Sequence, residues 1–349
     1  MSQRSPEVES FHEQACARLA PEISDYIAGG AEDEITLAEN RRAWDDMRLR
    51  PRVLRDVSEV RLETEFLGSP VSTPVGIPPM AMQHAMWDEG AVATSRVAAE
   101  TGSLFVMSLF GAGSAAEAAA VDPTAPRWLQ VYVLRDRERS MRAIERTLPL
   151  GYQALVLTVD VVRQGKRQRD LRNRFEFFRE EDGVHEDPNE IFDRSLRFED
   201  IAWFRERAGV PLIIKGVLRG DDARACAEAG ADAVVVSNHG GRQLDTAVAT
   251  ANALADVVAG VDGRAEVYVD GGLRRGHHVL KALALGARGV FVGRPVLWGL
   301  AACGAPGVRS VVDELAVDLE RSMALCGARS VSEVDASLLV PLAGRGGWG

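Results

Sequence analysis

Short runs of β-branched and other apolar residues, each bounded by glycine, proline or polar turn residues, recur along the chain. They are PVGIPPMA (74–81), SLFVMSL (103–109), RWLQVYV (127–133), ALVLTVD (154–160), PLIIKGV (211–217), AVVVSNH (233–239), EVYVDGG (266–272) and GVFVGRP (289–295). Their apolar residues are nearly continuous, the pattern of strands buried on both faces of a parallel sheet. Between them lie stretches with apolar residues three and four apart: DEGAVATSRVAAETG, RERSMRAIERTLPLG, GDDARACAEAGA and GHHVLKALALGA. These predict helices, each stopping at a glycine shortly before the next strand. Eight such strands close an α/β fold of the TIM (β/α)8 barrel type, whereas a doubly wound sheet would carry a GxGxxG turn after its first strand, and none is present.

Residues 1–73 precede the first strand, and within them SFHEQACARLAPEISDYIAGG and DEITLAENRRAWDDM predict two amphipathic helices packed on the barrel. Residues 161–210 form the one long departure from the repeat, opening with RQGKRQRDLRNRF and continuing into REEDGVHEDPNE. An excursion of that length after a barrel strand predicts a lid or a wall of the active site. Residues 307–349 read as a closing helix and tail. A single domain over 1–349 is expected, since α/β barrels run to about 250 residues and longer.

Composition narrows the function classes. With 46% hydrophobic and 26% charged residues the chain is an ordinary folded protein. A formal charge of −10 argues against nucleic acid as a partner. The cysteines Cys16, Cys226, Cys303 and Cys326 are scattered, with neither a CxxC pair nor zinc-ligand spacing, so reduced thiols in a cytoplasmic protein without a metal are expected. The polar start has no apolar leader, and the uncharged run Phe66 to Trp87 is broken by Pro70, Pro74, Pro78 and Pro79, so no membrane association is expected. Of 41 basic residues only Lys166, Lys215 and Lys281 are lysines, which draws attention to Lys215 at a strand end.

In a barrel, side chains at the strand C-termini converge on one pocket. Here they are Ala81, Ser108, Gln130, Tyr132, Thr158, Asp160, Lys215, Ser237, His239, Asp270, Gly271, Gly272, Gly293 and Arg294. His239 is the one histidine at a strand end and the natural general base. Three residues on, Arg242 suits a substrate carboxylate, and Asp160 could orient and stabilise the imidazole. The turns DGGLRRG and VGRP combine glycine with Arg274 and Arg294 where barrels hold a phosphate.

SNHGGRQLD (237–245) is similar to the signature of the FMN-dependent α-hydroxy acid oxidases and dehydrogenases, a family with glycolate oxidase, lactate oxidase, mandelate dehydrogenase and hydroxymandelate oxidase activities. YIAGGAEDEITLAENRRAW, PVGIPPMAMQ, LQVYVLRD, LTVDVVRQGKRQRDLRN, IIKGVL and VDGGLRRGHHVLKALALGARGVFVGRPV also resemble that family, in the same order over nearly the whole chain. The resemblance implies oxidation of an (S)-2-hydroxy acid to the 2-oxo acid, with FMN as cofactor and O2 giving H2O2. It implies His239 as base with Asp160 as partner, Tyr26, Arg167 and Arg242 as carboxylate binders, and Tyr132 near the substrate oxygens. Lys215 would face the flavin N1–O2 edge. Pro79, Met80, Ala81, Ser108, Gln130, Thr158 and Ser237 would line the flavin, while Asp270, Gly271, Gly272, Arg274, Gly293 and Arg294 would hold its ribityl phosphate. A homo-oligomer, a tetramer as in many relatives, is implied too. Whether the C–H electrons leave as a hydride or through a carbanion stays open.

The sequence departs from the family at several places. Pro78 removes a backbone donor near the flavin, Phe110 stands in the substrate wall where glycolate oxidases have tryptophan, and Val162 replaces a common proline. The excursion after the fourth strand is short for the family, which points to an open mouth and a bulky, mandelate-like side chain. Three alternatives stand beside this reading: a dehydrogenase with another electron acceptor, an aldolase-like lyase using Lys215 as a Schiff-base nucleophile, and a non-catalytic flavin-binding paralogue.

Overall fold

The structure is a computed structural model that describes residues 8–109, 115–175 and 191–340. Its strands are β1 (Thr64–Phe66), β2 (Ser69–Val71), β3 (Val75–Gly76), β4 (Phe105–Ser108), β5 (Arg127–Tyr132), β6 (Leu155–Thr158), β7 (Leu212–Val217), β8 (Ala233–Val236), β9 (Glu266–Val269) and β10 (Gly289–Phe291). Strands β3 to β10 make one parallel sheet in the order β3-β10-β9-β8-β7-β6-β5-β4. An Ile77–Phe105 bridge joins its two ends, with Ile77 N donating to Leu104 O at 2.8 Å and Val106 N to Ile77 O at 3.0 Å. All eight predicted strands are therefore present and nearly closed into a barrel. The first is short because Pro78 and Pro79 have no N–H to offer a ladder.

Helices Gly90–Thr101, Arg137–Thr147, Gly220–Glu228 and Gly276–Ala284 lie where the periodicity places them. Gly102, at φ 62°, ends the first in the left-handed conformation that suits glycine. Further helices at Ala115–Ala120, Glu199–Ala208, Thr250–Val261 and Arg294–Cys303 complete the outer ring, and Ala305–Cys326 closes the fold two residues earlier than expected. The N-terminal expectation needs correction. The first of the two expected helices is instead a pair, Val8–Arg18 and Pro21–Ala28, because Pro21 can open a helix but cannot continue one. Ile35–Asp46 follows as predicted.

A second correction concerns residues 64–71, which pair as the antiparallel hairpin β1–β2. This hairpin plugs the bottom of the barrel. Phe66 is fully buried there against Trp128, Tyr268 and Phe291, with ring centroids 4.9–6.1 Å away. Gly289 makes room for it, since a Cβ at that position would collide with the Phe66 ring.

The barrel interior explains how the strands deliver chemistry to one end. Val106, Trp128, Val156, Ile213, Val235 and Tyr268 form one inner apolar cluster with Phe66 and Phe291. Side chains two residues further along each strand point the same way. The inner rows thus climb from Val106 to Ser108, Trp128 to Gln130 and Tyr132, Val156 to Thr158, Ile213 to Lys215, Val235 to Ser237 and Tyr268 to Asp270. Residues of the opposite parity, such as Leu129, Leu157, Ile214 and Val234, face the helices in the larger outer core. Apolar at the floor and polar at the mouth, the rows converge on a single opening.

Candidate active site

The opening at the C-terminal ends of the strands is a pocket walled by Tyr26, Tyr132, Arg167, Lys215, His239, Arg242 and Asp270, and by the turns 78–81, 271–274 and 292–294. Among the sequence-predicted residues, Pro79, Met80, Ala81, Gly271, Gly272, Arg274, Gly293 and Arg294 also line it. Ser108, Gln130, Thr158 and Ser237 do not reach the open wall and lie buried in the strands behind it. Phe110 lies outside the described residues, as does much of the excursion's acidic part (176–190).

His239 carries the geometry of a general base. Its Nδ1 lies 3.1 and 3.2 Å from the two carboxylate oxygens of Asp160, so Nδ1–H donates to Asp160 and the lone pair sits on Nε2. The Tyr132 hydroxyl is 3.5 Å from that Nε2. The backbone imposes this aim: His239 has φ 57° and is followed by Gly240 at 65° and Gly241 at 76°. The left-handed conformation is costly for His239, while the two glycines adopt theirs freely and let the chain turn sharply at the pocket. Burial pushes the His239 imidazolium pKa down, and Lys215 reinforces this against the opposing pull of Asp160, leaving it below its ordinary value. For Asp160 itself burial pushes upward, but the pull of His239 when protonated, the Lys215 charge and the His239 hydrogen bond outweigh it and hold the pKa low. The result is an ionised carboxylate behind a neutral imidazole.

Asp160 can occupy this place only because Gly216 has no side chain. A Cβ on Gly216 would stand 2.6 Å from the Asp160 Cβ, and its φ of 113° excludes other residues as well. The β7–β8 register shifts at the same point, between Lys215 and Val217.

Lys215 is buried, donates to Ser237 Oγ at 2.9 Å and pairs with Asp270 Oδ2 at 3.3 Å. Burial alone would lower its pKa; Asp270 and Asp160 more than offset this and raise it. A pKa raised above the usual lysine value disfavours the free amine that the Schiff-base alternative needs. Two polar atoms near it, Gln130 Oε1 and Asp270 Oδ1, are buried without a hydrogen-bond donor, although Gln130 Nε2 does donate to Thr158 Oγ1 at 2.9 Å. Buried acceptors of this kind call for a donor from a bound molecule.

Guanidinium groups crowd the same opening. Arg167 is held by Asp170 at 3.7 Å, and burial, with Arg242 adding repulsion, lowers its pKa to about 10. Arg242 Nη1 donates to the carbonyls of Tyr26 (2.5 Å) and Gly29 (3.1 Å), and its Cζ stacks 4.6 Å over the Tyr26 ring. Arg294 donates to the Ile27 and Gly29 carbonyls at 3.0 and 2.9 Å. Burial first, then repulsion from Arg242 and Arg274, pushes the Arg294 pKa far down. Gly293 is the N-cap of helix Arg294–Cys303 and lines the pocket, so the positive end of that helix lies beside these cations. So many positive groups around one cavity select anionic ligands.

Several positioning residues escaped the sequence reading. Asp245, quoted in the signature without a role, accepts the backbone N–H groups of Asp33, Ile35 and Thr36 and ties the N-terminal segment to the loop after β8. Asn40 and Asn238 exchange amide hydrogen bonds of 2.8 Å in both directions. Glu34 takes two bonds from Arg169, and Phe175 stacks on Tyr26. Phe192 packs against Tyr132, with Val161 and Gln164 beside it on the wall. Their partners are more than a hundred residues away in most cases, and nothing local in the sequence announces such pairings. No helix among the described residues is long and apolar enough to cross a membrane.

Comparison with known proteins agrees with this geometry. The family described as FMN-dependent dehydrogenase matches residues 15–341. The chain is 41% identical to an L-lactate oxidase of Nostoc sp., covering 94% of this chain and 96% of that one. It is 40% identical to the glycolate oxidase of Spinacia oleracea, covering 95% and 94%. A crystal structure of mandelate oxidase superposes with a TM-score of 0.90 at 38% identity, covering 96% of this chain and 97% of that one.

Proposed function

The chain belongs to the FMN-dependent dehydrogenase family, and from that premise we propose that its barrel mouth oxidises (S)-2-hydroxy acids with bulky, mandelate-like side chains and passes the electrons to O2. Its enzymatic class is that of the FMN-dependent 2-hydroxy acid oxidases. The observation that carries the residue assignments is the Asp160–His239 pair opening between Arg167 and Arg242, beside a protonated Lys215.

The residues suit FMN. Gln130 Oε1, an acceptor without a donor, suits an N–H edge such as that of the isoalloxazine, and Lys215 would supply a fixed cation for its N1–O2 edge. Ser108, Thr158 and Ser237, buried behind the pocket wall, would support that face, and Pro79, Met80 and Ala81 would cover the ring. Asp270, Gly271, Gly272, Arg274, Gly293 and Arg294 would hold the ribityl chain and phosphate, with the helix N-terminus at Gly293 adding its partial positive charge. When bound, FMN supplies the two-electron acceptor.

The protein groups do the rest. Arg167 and Arg242 bind the substrate carboxylate, Tyr26 presents its phenol beside them, and Tyr132 hydrogen-bonds the 2-oxygen. His239 Nε2 takes one proton from the substrate, and the charge it gains is stabilised through Nδ1 by Asp160. Overall the hydroxy acid loses two electrons and two protons, and O2 takes up both to give H2O2. A bulky side chain is favoured by the aromatic and aliphatic wall of Tyr132, Phe192 and Val161. We read the chain as one domain and as a cytoplasmic homo-oligomer; four unpaired cysteines fit a reducing compartment.

A panel of glycolate, lactate, longer aliphatic hydroxy acids and both mandelate enantiomers, assayed in air for peroxide, tests the proposal. One peroxide per 2-oxo acid, with (S)-mandelate among the best substrates, is the expected result. Turnover only with an artificial electron acceptor would reassign the enzyme as a dehydrogenase.

A further inference from the structure

Asp45, His277 and His278 bring their ligating atoms within 4.8 Å of one another, which invites a metal site. The hydrogen bonding of His278 argues for something else. Its Nδ1 accepts the backbone N–H of Arg274 at 3.2 Å, and its Nε2 faces Asp45 Oδ1 at 2.9 Å. An imidazole that accepts at Nδ1 must carry its proton on Nε2, where it donates to the carboxylate. Ligating a cation through Nε2 would require losing that proton while Nδ1 still accepts, leaving an imidazolate.

His278 is 1% exposed and stands in the first turn of helix Gly276–Ala284, directly after the DGGLRRG turn. The C-terminal end of helix Ile35–Asp46 grips the same turn. Trp44 Nε1 donates to Gly271 O at 2.8 Å, and Lys281 Nζ donates to Trp44 O at 2.7 Å. A Cβ on Gly272 would collide with the Asn40 carbonyl, so this helix and the turn are in intimate contact. These contacts fix the start of the turn, while the peptide that carries Arg274 is fixed by His278. The Arg274 guanidinium, 5.1 Å from the centroid of the Trp298 ring, then faces the cavity.

We propose that His278 is a positioning residue for the cofactor phosphate: by holding the Arg274 N–H and leaning on Asp45, it sets the turn from which Arg274 reaches the anion. This rests on the assignment of Arg274 and Arg294 to the FMN phosphate. Burial, reinforced by His277, pushes the His278 pKa down to about 4, so the acceptor nitrogen is available throughout the physiological range.

The test is release of FMN and of riboflavin, which lacks the phosphate, from the loaded full-length protein on dilution, read by free-flavin fluorescence. His278→Leu should weaken FMN about tenfold and leave riboflavin within about twofold, as expected for loss of one oriented hydrogen bond at a charged site. His278→Asn, whose carboxamide oxygen can replace Nδ1, should restore most of the FMN preference. Equal weakening of both flavins by His278→Leu, or no change in either, overturns the proposal. Arg274→Gln separates the two levels. If it abolishes the preference for FMN and His278→Leu does not, only the His278 role fails; if it leaves the preference intact, the phosphate assignment fails and His278 with it.

Discussion

At the scale of single residues, the site is a set of opposed electrostatic demands met within a few ångströms. His239 must be neutral to accept a proton, yet its imidazolium must be tolerated once formed. Burial and Lys215 favour the neutral ring, and Asp160 supports the charged one. The sign of the pH dependence follows. The active form is the unprotonated base, and its pKa lies below the usual 6.5, so kcat/KM should be flat at neutral pH and fall only as pH drops below that value. Asp160→Asn removes the group that raises the pKa, so the acid limb should move further down while the rate itself falls. Burial holds the Tyr132 phenol well above its ordinary value, so it should add no limb below pH 10. A pH profile of kcat/KM checks this; an acid limb centred above 6.5 would contradict the neutral-imidazole arrangement.

Between residue and fold, the strands and turns decide whether those groups meet. Gly216 is the sharpest case, since its φ of 113° and its approach to Asp160 leave no room for a methyl group. Gly216→Ala should destabilise the protein by about 1–3 kcal/mol. Displacing Asp160 should also slow substrate-dependent flavin bleaching by at least about tenfold, because small misplacements of a catalytic group cost heavily. Thermal melting and anaerobic mixing read the two effects; an alanine variant with wild-type rate would mean that Asp160 does not need its present position. The sequence made the strands legible because a continuous apolar run leaves few alternatives, and it made His239, Asp160 and Lys215 legible because strand parity delivers them to one end. It did not reveal the hairpin β1–β2 or the break at Pro21, since three-residue strands have too little pattern to detect and amphipathic spacing runs straight through a helix boundary. Asp245, Asn40 and Glu34 stayed hidden for another reason: their roles are contacts across the chain, invisible until the N-terminal helices dock.

At the scale of the whole molecule, the barrel gathers Arg167, Arg242, Arg274 and Arg294 around one cavity, and their mutual repulsion is a cost the fold carries until an anion arrives. FMN should therefore stabilise the folded chain strongly. Above its dissociation constant, each tenfold rise in free FMN should add about 1.4 kcal/mol. The melting temperature should climb steadily with the logarithm of FMN concentration, and riboflavin at equal concentration should do less. A melting temperature indifferent to FMN would mean that the cationic cluster serves the fold alone. The eight-strand architecture itself was readable from periodicity and glycine punctuation, whereas the way the N-terminal helices complete the mouth was not.

The chemistry proposed here depends on one imidazole. The most direct measurement is anaerobic mixing of the FMN-loaded protein with (S)-mandelate or lactate, followed by the loss of flavin absorbance, in the wild type and in His239→Ala. The wild type should bleach rapidly, and the variant should keep its FMN yet bleach about 10²–10⁴-fold more slowly. A variant that bleaches at the wild-type rate would remove His239 from the reaction.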